Sequence, residues 1–330
     1  MSQQWFAGID VAMDELVLAC CDEQEHFLPE QRFPNTKAGI TRLKRELRKL
    51  GQVRLCLEPT SCYHLAALDA LSAVAALCVS VVNSYATRCF ARALLVRGKT
   101  DHVDAQVLAR YVLRCNPPRF TPPRGIALEL RAITRRVGTL VKDRTSQRNR
   151  LHASRKAGDP RCVLHSIQDQ IKYLDRQIKA LEDAALKLLR TDAQLQKNYK
   201  LLLSVKGIGQ RSALALLGEL GVTPPDMGKA QWVALAGLDP KPQESGKSQN
   251  APRHISRQGN VHLRRGLYMP ALVAAHRSGP AQAYYESLKQ RGKKPLQAIV
   301  ALMRKLLCAI WGMFANQQPF DPQRFFHQTA

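Results

Sequence analysis

Two short apolar segments, each followed directly by an acidic residue, constrain the fold of this chain more than any other feature. Residues 6–9 precede Asp10, and residues 55–57 precede Glu58. Apolar runs this short and continuous are typical of strands buried on both faces. A carboxylate at the end of such a strand projects from the sheet, at the edge where ligands of α/β domains commonly bind. The chain therefore predicts an α/β domain with acidic residues at strand ends.

The alternation of short apolar runs and helical spacing predicts a mixed sheet for residues 1–123. Strands are expected at residues 5–10, 15–21, 26–33, 53–57 and 77–82, and helices at residues 37–50 and 63–76. Either Asn35 or Thr36 is expected to cap the first helix, and Gly51 to end it.

Charge is distributed very unevenly along the 330 residues. The formal net charge is +24, yet residues 1–60 hold nine acidic and eight basic residues, so the remainder carries +25. Such asymmetry indicates a nucleic-acid partner or an anionic membrane surface. No apolar run reaches the roughly 18–20 residues needed to cross a bilayer, and no secretion signal begins the chain, so a cytoplasmic protein is expected. Nine cysteines without Cys-x-x-Cys spacing predict reduced, buried thiols.

Asp101 and Asp104 form a second acidic feature in this basic chain. They lie one helical turn apart and so share a face. Carboxylates gathered in a protein that approaches phosphate would repel it unless a cation lay between them, which predicts a Mg²⁺ site formed with Asp10 and Glu58. Thr100 could cap the helix that begins here, and Asp101 taken singly could itself be only a cap.

Residues 124–195 show long helical periodicity. After a break at residues 158–160, apolar residues alternate in steps of four and three from Ile167 to Leu188, which is the pattern of a coiled-coil seam. An ordinary helical hairpin packed on its own domain explains the same spacing equally well. The first arm is strongly basic and predicts contact with a phosphate backbone; its basic residues are Arg131, Arg135, Arg136, Lys142, Arg144, Arg148, Arg150, Arg155 and Lys156.

Residues 196–330 are predicted to be mostly helical. Residues 205–209 have the Gly-hydrophobic-Gly spacing of a helix-hairpin-helix, whose glycines let backbone amides approach a phosphate. A tight turn between helices needs glycine as well. A polar loop is expected at residues 238–259, between a short helix at 230–236 and helices at about 260–276, 280–291 and 295–315.

Ordered motifs in both halves of the chain resemble one family. The N-terminal motifs are Gly8-Ile9-Asp10, Glu58-Pro59-Thr60 with Tyr63, Asn83, and Lys99-Thr100-Asp101-x-x-Asp104-Ala105. The C-terminal motifs are Ala234-Leu235-Ala236-Gly237-Leu238-x-Pro240, Glu244-Ser245-Gly246-Lys247, and Gly259-Asn260-x-x-Leu263-Arg264-Arg265-x-Leu267-Tyr268-Met269-Pro270-Ala271. The chain resembles DEDD-type insertion-sequence transposases, which are related to Piv DNA invertases. It departs at Ser61, where the family often has Gly, and at Ser84, where it often has Pro.

The resemblance implies a RuvC-like (RNase H-like) domain at 1–123, a helical coiled-coil insert at 124–195, and a C-terminal helical transposase domain at 196–330. Mg²⁺, or Mn²⁺, would be held by Asp10, Glu58, Asp101 and Asp104. Ser245 would be a nucleophile that forms a phosphoserine link to DNA, with Ser248 as the competing candidate. Some members are described as bridge-RNA-guided recombinases, which implies a non-coding guide RNA, donor and target DNA, and a prokaryotic homo-oligomer, either dimer or tetramer. The two domains that meet at one site are thought to come from different subunits.

Two other functions explain part of the pattern. A RuvC-like junction nuclease would use metal-activated water, and Ser245 would be incidental. A non-catalytic basic protein would bind nucleic acid through its helices, but it gives no reason for clustered acids. For an RNA-guided enzyme, the candidate RNA-facing surfaces are the helix at residues 37–50 and residues 88–99, with Arg88, Arg92, Arg97 and Lys99.

Overall fold

The computed structural model describes residues 4–322 except 97, 99, 124, 242–243, 246–248, 251–253 and 278. The chain divides into two compact units, Met1–Pro122 and Pro123–Ala330. Ser248, Arg97 and Lys99, which the sequence marks as candidates, lie outside the described residues. Each unit is built around its own hydrophobic core.

The first unit is a five-stranded mixed sheet covered by helices. Its strands are β1 (Trp5–Val11), β2 (Glu15–Cys21), β3 (Gln31–Pro34), β4 (Val53–Leu57) and β5 (Leu77–Val81), in the order β3-β2-β1-β4-β5. Its helices are α1 (Lys37–Lys49), α2 (Leu65–Ser72), α3 (Ser84–Ala93) and α4 (Asp101–Cys115). β1 runs parallel to β4 and antiparallel to β2. This arrangement confirms the predicted mixed sheet.

The two faces of the central strand pack against different helices. Ala7, Ile9 and Val11 face the core that contains Leu43 of α1 and Leu71 of α2. Phe6 faces the opposite core, which contains residues of α4. Both faces of β1 are therefore buried from solvent, which explains its nearly continuous apolar sequence.

Two elements of this unit are shorter than the sequence predicts. The third strand begins at Gln31 rather than at residue 26, because Pro29 has no backbone N–H to give to a ladder. Helix α2 begins at Leu65 rather than at residue 63, because residues 60–63 form a turn in which the Tyr63 N–H donates to the Thr60 carbonyl, 3.1 Å away. The cap of α1 is Thr36, one of the two predicted residues.

The second unit is a long helical hairpin joined to a bundle of shorter helices. The hairpin is α5 (Gly125–Ala157) and α6 (Arg161–Leu189). The bundle contains α7 (Ala193–Leu203), α8 (Gln210–Leu220), α9 (Lys229–Ala236), α10 (Val261–Arg277), α11 (Gly279–Gln290) and α12 (Pro295–Asn316). Four two-residue strands lie within the predicted polar loop, namely β6 (Pro240–Lys241), β7 (Glu244–Ser245), β8 (Gln249–Asn250) and β9 (His254–Ile255).

The apolar seam of α6 packs largely within its own chain. Leu174 and Ile178 lie against Val137 and Leu140 of α5, and Ile178 is only 2% exposed. Farther toward the hairpin tip, Ile171 is only half-buried. The structure therefore shows an intramolecular hairpin here, and self-association through the coiled-coil pattern stays a prediction.

Helix α12 is the one described helix that is long and apolar enough to cross a bilayer by length and composition. A helix buried in a core meets the same criteria. Leu302, Leu306 and Ile310 of α12 are buried in the core of the second unit, and the Trp311 indole donates to the carbonyl of Met227 over 3.0 Å. Packing within its own unit accounts for the apolar composition of this helix.

The nine cysteines form no disulfide in the structure, and not all of them are buried as predicted. Cys20, Cys21 and Cys56 lie in the sheet core. Four others are exposed, which corrects the expectation of burial; these are Cys62, Cys89, Cys115 and Cys162. They lie on helices or loops, where a small side chain does not have to face the core.

Candidate active site in the first unit

Gly8 allows helix α4 to lie directly on strand β1. A Cβ atom at Gly8 would lie 2.2 Å from the carbonyl oxygen of Ala105 and 2.5 Å from the backbone nitrogen of Ala109. Because side chains alternate along a strand, Asp10 points to the same face as Gly8. The absence of a side chain at Gly8 thus brings the helix that carries Asp101 and Asp104 close to Asp10.

Asp10 and Glu58 lie at the same level of neighbouring parallel strands; Glu58 follows the last residue of β4, whereas Asp10 is the last residue but one of β1, which extends one residue beyond the predicted end. Ile9 pairs with Leu57, so the residue after each of them is acidic. Both carboxylate residues are half-buried. The Thr87 hydroxyl of α3 hydrogen-bonds to the Glu58 carboxylate. The parallel register therefore places the two acids side by side, as the sequence predicts for strand ends.

Asp101 and Asp104 both lie in the first turn of α4. The cap of this helix is Thr100, whose hydroxyl accepts from the Val103 N–H at 3.3 Å. Asp101 is therefore not the cap but the first helical residue. Asp101 is exposed and Asp104 is half-buried.

The electrostatics of Asp10 show that the other three acids act on it. Burial, followed by the charges of Asp104, Asp101 and Glu58, raises the pKa of Asp10 from 3.8 to about 6, against the lowering effect of a hydrogen bond from the Val11 backbone. A carboxyl group crowded by three others is a location where a cation is strongly favoured.

The donor chemistry fits a hard cation such as Mg²⁺, which prefers carboxylate oxygens. The other three carboxylates lie close enough to Asp10 to raise its pKa. In the described part of the chain, however, no three His, Cys, Asp or Glu side chains are grouped closely enough to ligate a metal ion as they stand. The acids therefore form a cluster at one sheet edge, and a bound cation would have to draw them together.

Two residues for which the sequence predicted no role at the acids hold this cluster in place, and one of them, Asn35, was expected only as a candidate helix cap. Glu25 accepts hydrogen bonds from Arg110 at 3.1 Å and from Arg114 at 2.9 Å, and so fastens α4 to the end of β2. Asn35 donates to the carbonyls of Ala12 at 2.9 Å and Tyr63 at 3.1 Å, which ties the loop after β1 to the loop after β4. In both cases the paired residues are far apart in the sequence, so no local sequence pattern predicts the contact.

Both departures from the family motifs occur at positions where the backbone suits the family residue. Ser61 has a φ of 48°, in the left-handed region that favours glycine. Ser84 is the first residue of α3, where proline fits well, and Asn83 before it caps the helix through a 2.8 Å bond from the Tyr85 N–H. The backbone at both positions therefore accommodates the residue that the family often has there.

The serine loop of the second unit

Ser245 lies in the two-residue strand β7, opposite Gln249 of β8. Its side chain is outside the described part of the structure, as are Lys247, Ser248 and Arg253. The structure therefore places Ser245 in an antiparallel strand pair, and the choice of Ser245 over Ser248 stays a prediction.

The two ends of this loop are fixed by a dense set of backbone contacts. Gly237 has a φ of 61° and follows α9. A Cβ at Gly259 would lie 2.3 Å from the carbonyl oxygen of Leu235. The Arg264 guanidinium donates to the Ala236 carbonyl at 2.8 Å, and the Ser256 hydroxyl donates to Asp239 at 2.6 Å. The glycines and the arginine of the family motifs thus close the base of the serine loop.

Asn260 links the base of this loop to a buried ion pair. Its side chain accepts from the N–H groups of His262 at 2.9 Å and Leu263 at 3.1 Å, and donates to Glu219 at 2.6 Å. Glu219 is 3% exposed and accepts two hydrogen bonds from Arg135 of α5, at 2.7 and 2.9 Å. Burial by itself would raise the pKa of Glu219, but the bonds from Arg135 and Asn260 hold the pKa below its ordinary value.

The sequence analysis did not predict a role for Glu219, although the sequence contains an indication of one. It is the single acidic residue in the apolar helix α8, and a buried carboxylate must find a partner. Arg135, predicted to face a phosphate backbone, is that partner.

The basic arm of the hairpin is thus not one continuous solvent face. Arg135 pairs with Glu219, and Arg144 donates to Asp175 at 2.6 Å. Exposed basic residues remain on α5, mainly toward the tip of the hairpin; these are Arg136, Lys142, Arg148, Arg150, Arg155 and Lys156. Contact with a phosphate backbone stays a prediction for these residues.

The glycines at residues 205–209 have a structural role. Gly207 has a φ of 103°, and a Cβ there would lie 3.1 Å from the Pro270 carbonyl oxygen. Gly209 caps α8. The glycine at 207 is therefore required by the turn and by packing on α10, whatever it binds.

A mixed sheet with clustered carboxylates, in one chain with a strongly basic helical unit, is characteristic of enzymes that process nucleic acid. A family model described as "Transposase" (DEDD_Tnp_IS110) matches residues 7–154, and one described as "Transposase IS116/IS110/IS902 family" matches residues 199–286. The pilin gene-inverting proteins of Moraxella bovis and Moraxella lacunata are each 30% identical over 246 residues, which are 74% of this chain and 74% of each relative. An uncharacterized 44.8 kDa protein of insertion element IS116 from Streptomyces clavuligerus is 31% identical over 166 residues, covering 49% of this chain and 39% of the relative.

This chain belongs to the DEDD-type IS110 transposase and Piv family. It is a DNA recombinase-type enzyme, and its partner is DNA. The mixed sheet of the first unit fits the RuvC-like fold expected for that family.

Proposed function

We propose that this protein is an RNA-guided DNA recombinase or transposase that exchanges strands through a covalent phosphoserine–DNA intermediate. The observation that carries this proposal is the carboxylate cluster around Asp10 in a protein of formal charge +24. An isolated cluster of this kind would repel a DNA phosphate, so it has a purpose only with a cation. The family supplies the reaction class, and the expected location is the prokaryotic cytoplasm at the nucleoid.

Asp10, Glu58, Asp101 and Asp104 are the residues that would hold Mg²⁺ or Mn²⁺. A divalent ion bound there would supply Lewis-acid stabilisation of charge on a phosphate. The chain's own contribution is to hold the carboxylates in place. The Thr87 hydroxyl orients Glu58, and the ion pairs of Glu25 fix the helix that carries Asp101 and Asp104.

Ser245 is the proposed nucleophile. Its Oγ would lose a proton and form a bond to the DNA phosphorus while the bond from that phosphorus to one deoxyribose oxygen breaks. The released deoxyribose oxygen would take up a proton and become a free hydroxyl. The serine ester conserves the energy of the broken link, so that strands can be rejoined without an external energy source. Support comes from the family motif Glu244-Ser245-Gly246 and from the rigid base of the loop, formed by Gly237, Gly259 and Arg264.

A guide RNA would supply sequence specificity by base pairing, and the protein would contact backbone and shape. Two exposed basic surfaces of the first unit support this role. Helix α1 exposes Arg42, Arg45, Arg48 and Lys49. Helix α3 exposes Arg88 and Arg92 together with Tyr85, which is 51% exposed. An exposed aromatic ring on the same helix as two cations is suited to stacking with unpaired bases.

The test is trapping of the covalent adduct with donor and target DNA, Mg²⁺ and the RNA that co-purifies with the protein. Ser245→Ala should bind RNA and DNA normally yet give neither adduct nor recombinant, whereas Ser248→Ala should be much milder. Mass spectrometry of the nuclease-trimmed adduct should place a nucleotide on the peptide that contains Ser245. A nucleotide mapped to Ser248, or recombination by Ser245→Ala, would refute the assignment.

The RuvC-like sheet also supports a second function, that of a metal-dependent junction nuclease without a covalent intermediate. The same experiment separates the two. Cleaved junctions with no protein–DNA adduct, unaffected by Ser245→Ala, would establish the nuclease. Binding without any cleavage, in the presence of metal and RNA, would favour a non-catalytic basic nucleic-acid-binding protein.

A further inference from the structure

The second unit contains a solvent-open cavity of about 330 Å³ between the α5–α6 hairpin and helices α8 and α10. None of its lining residues belongs to the carboxylate cluster or to the serine loop. Its volume lies at the lower end of the range for small-molecule sites, roughly 300–1,000 Å³. All four helices contribute apolar residues to its lining, namely Val137, Val141, Ala185, Leu214, Ala215 and Met269.

The rest of the lining has an excess of positive charge. Four basic side chains and two acidic ones border the cavity, namely Arg135, Lys142, Arg211, Arg265, Glu182 and Glu219. Arg135 pairs with Glu219, and Arg211 pairs with Glu182. Lys142 and Arg265 have no ion-pair partner within the described ranges. Two cations therefore line the cavity without a counterion among the residues that the structure describes.

The pKa of His262 is affected by the same positive charges. Burial and the charges of Arg135, Arg265 and Lys142 hold the pKa of His262 below its ordinary value, against the opposing effect of Glu219. The imidazole is therefore neutral near pH 7, and it offers one hydrogen-bond donor and one acceptor beside the cations.

Gly138 keeps the cavity open. It lies in the long helix α5 and lines the cavity, and a Cβ there would meet no atom within 4 Å. Glycine inside a helix costs about 1 kcal/mol relative to alanine. This position lies in a regular helix and no other described segment approaches it closely, so neither a turn nor a close contact requires glycine here. What the missing side chain does provide is space at the lining of the cavity.

We propose that this cavity binds a nucleotide. The base would pack against the apolar lining residues, and the phosphate would contact Lys142, Arg265 and His262. An inorganic anion would pair with the cations but leave the apolar lining residues exposed to water. A purely apolar ligand would cover those residues but leave the cations unpaired. The nucleotide belongs either to a bound nucleic-acid strand or to the free pool. The inference goes beyond the recombination chemistry and does not depend on Ser245 or on a metal.

The test is calorimetric titration of the full-length protein with dTMP and, separately, with inorganic phosphate. We expect saturable dTMP binding at least about tenfold tighter than phosphate binding, which corresponds to roughly 1.4 kcal/mol. Gly138→Leu adds a side chain at the lining of the cavity while improving helix propensity, and should weaken dTMP binding about tenfold or more by taking up part of the space. Lys142→Gln and Arg265→Gln should weaken it as well, with unfolding temperatures close to that of the wild type.

Matched controls are available elsewhere in the same unit. Gly312→Leu replaces a glycine of α12 whose Cβ would also meet nothing within 4 Å, and Lys179→Gln removes an exposed cation of α6 that does not line the cavity. Both should keep wild-type affinity for dTMP. Absence of dTMP binding, equal affinities for dTMP and phosphate, or undiminished binding by Gly138→Leu would overturn the proposal.

A competition experiment between dTMP and an oligonucleotide identifies the source of the nucleotide. If a single-stranded oligonucleotide displaces dTMP, the cavity holds a nucleotide of the bound strand; if both bind together, it holds a free nucleotide. Either result supports the cavity as a nucleotide site. Ser245→Ala should retain dTMP binding even where it abolishes the DNA adduct, so failure of one proposal is distinguishable from failure of the other.

Discussion

Gly8 and Ala105 approach so closely that no side chain fits between them: a Cβ at Gly8 would lie 2.2 Å from the Ala105 carbonyl oxygen. This contact sets the separation between β1 and α4. It thereby sets how near Asp104 comes to Asp10, whose pKa responds to burial and then to Asp104 before any other group. One glycine in a strand thus controls the geometry of the carboxylate cluster.

Gly8→Ala should destabilise the first unit by about 2 kcal/mol or more, because overpacking against backbone atoms costs roughly 1–3 kcal/mol. It should also abolish recombination by moving α4 away from Asp10. Urea unfolding measures the first effect. Gly98→Ala is the control, since a Cβ at Gly98 would meet nothing within 4 Å. Equal unfolding midpoints for the two variants would contradict the proposed role of Gly8.

Asp10→Asn should stabilise the protein at pH 7 without Mg²⁺ while suppressing strand cleavage. The pKa of Asp10 is raised from 3.8 to about 6 in the folded state, so folding favours the protonated form and stability falls as pH rises through that interval. After discounting for solvent screening, the ionised group costs about 1–2 kcal/mol. The stability difference from wild type should vanish near about pH 4.

Thermal unfolding in EDTA across that pH range measures the effect of Asp10→Asn. Adding Mg²⁺ at pH 7 should raise the unfolding temperature of the wild type more than that of the variant, since ligand binding stabilises the state that binds it. An unchanged difference at all pH values would show that Asp10 is not crowded by the other acids.

Ser61→Gly and Ser84→Pro should each stabilise the first unit by about 0.5–1 kcal/mol. Ser61 has a φ of 48°, which glycine adopts without strain, and Ser84 begins a helix where proline lowers the entropy of the unfolded chain. Ser61→Ala serves as the control and should not stabilise, because alanine shares the steric strain of serine. Differential scanning calorimetry is the measurement, and destabilisation by Ser61→Gly would contradict the argument.

The exposed cations near the hairpin tip should make DNA affinity strongly salt-dependent. Neutralising three of them should lower the slope of log affinity against log salt by about 2–3, in proportion to the counterions no longer released. The variant is Arg150→Gln with Arg155→Gln and Lys156→Gln. The control on α6 is Lys172→Gln with Lys179→Gln and Lys187→Gln. Equal slopes for the two triple variants would remove the tip from the DNA contact.

The seam of α6 gives different expectations along its length. Ile178→Asp should unfold the hairpin region, costing about 3 kcal/mol or more, because Ile178 packs on Val137 and Leu140 of its own chain. Ile171→Asp should be milder, since Ile171 is only half-buried. If the seam also mediates self-association, Ile171→Asp should lower the oligomeric mass in light scattering while folding is retained. An unchanged mass would show that the seam serves only its own subunit.

Local patterns were sufficient for most secondary structure. The strands Glu15–Cys21 and Val53–Leu57 have the predicted bounds, and the helices of the second unit begin and end close to their predicted positions. These features depend on hydrophobic periodicity and on nearby capping residues, both of which are local. Pro29 shows the limit, since a single missing donor moved the start of β3.

The sequence by itself determined where Asp10, Glu58, Asp101 and Asp104 lie on their elements, because strand ends and helical turns follow from short-range spacing. Only the tertiary structure decided that α4 packs on Gly8 and so crowds Asp10 with the other acids. Likewise, only folding revealed that Arg135 of the basic arm neutralises the buried Glu219, 84 residues away, and that the seam of α6 closes on its own chain. Pairings of this kind depend on desolvation and on which surfaces meet, and a local pattern contains neither.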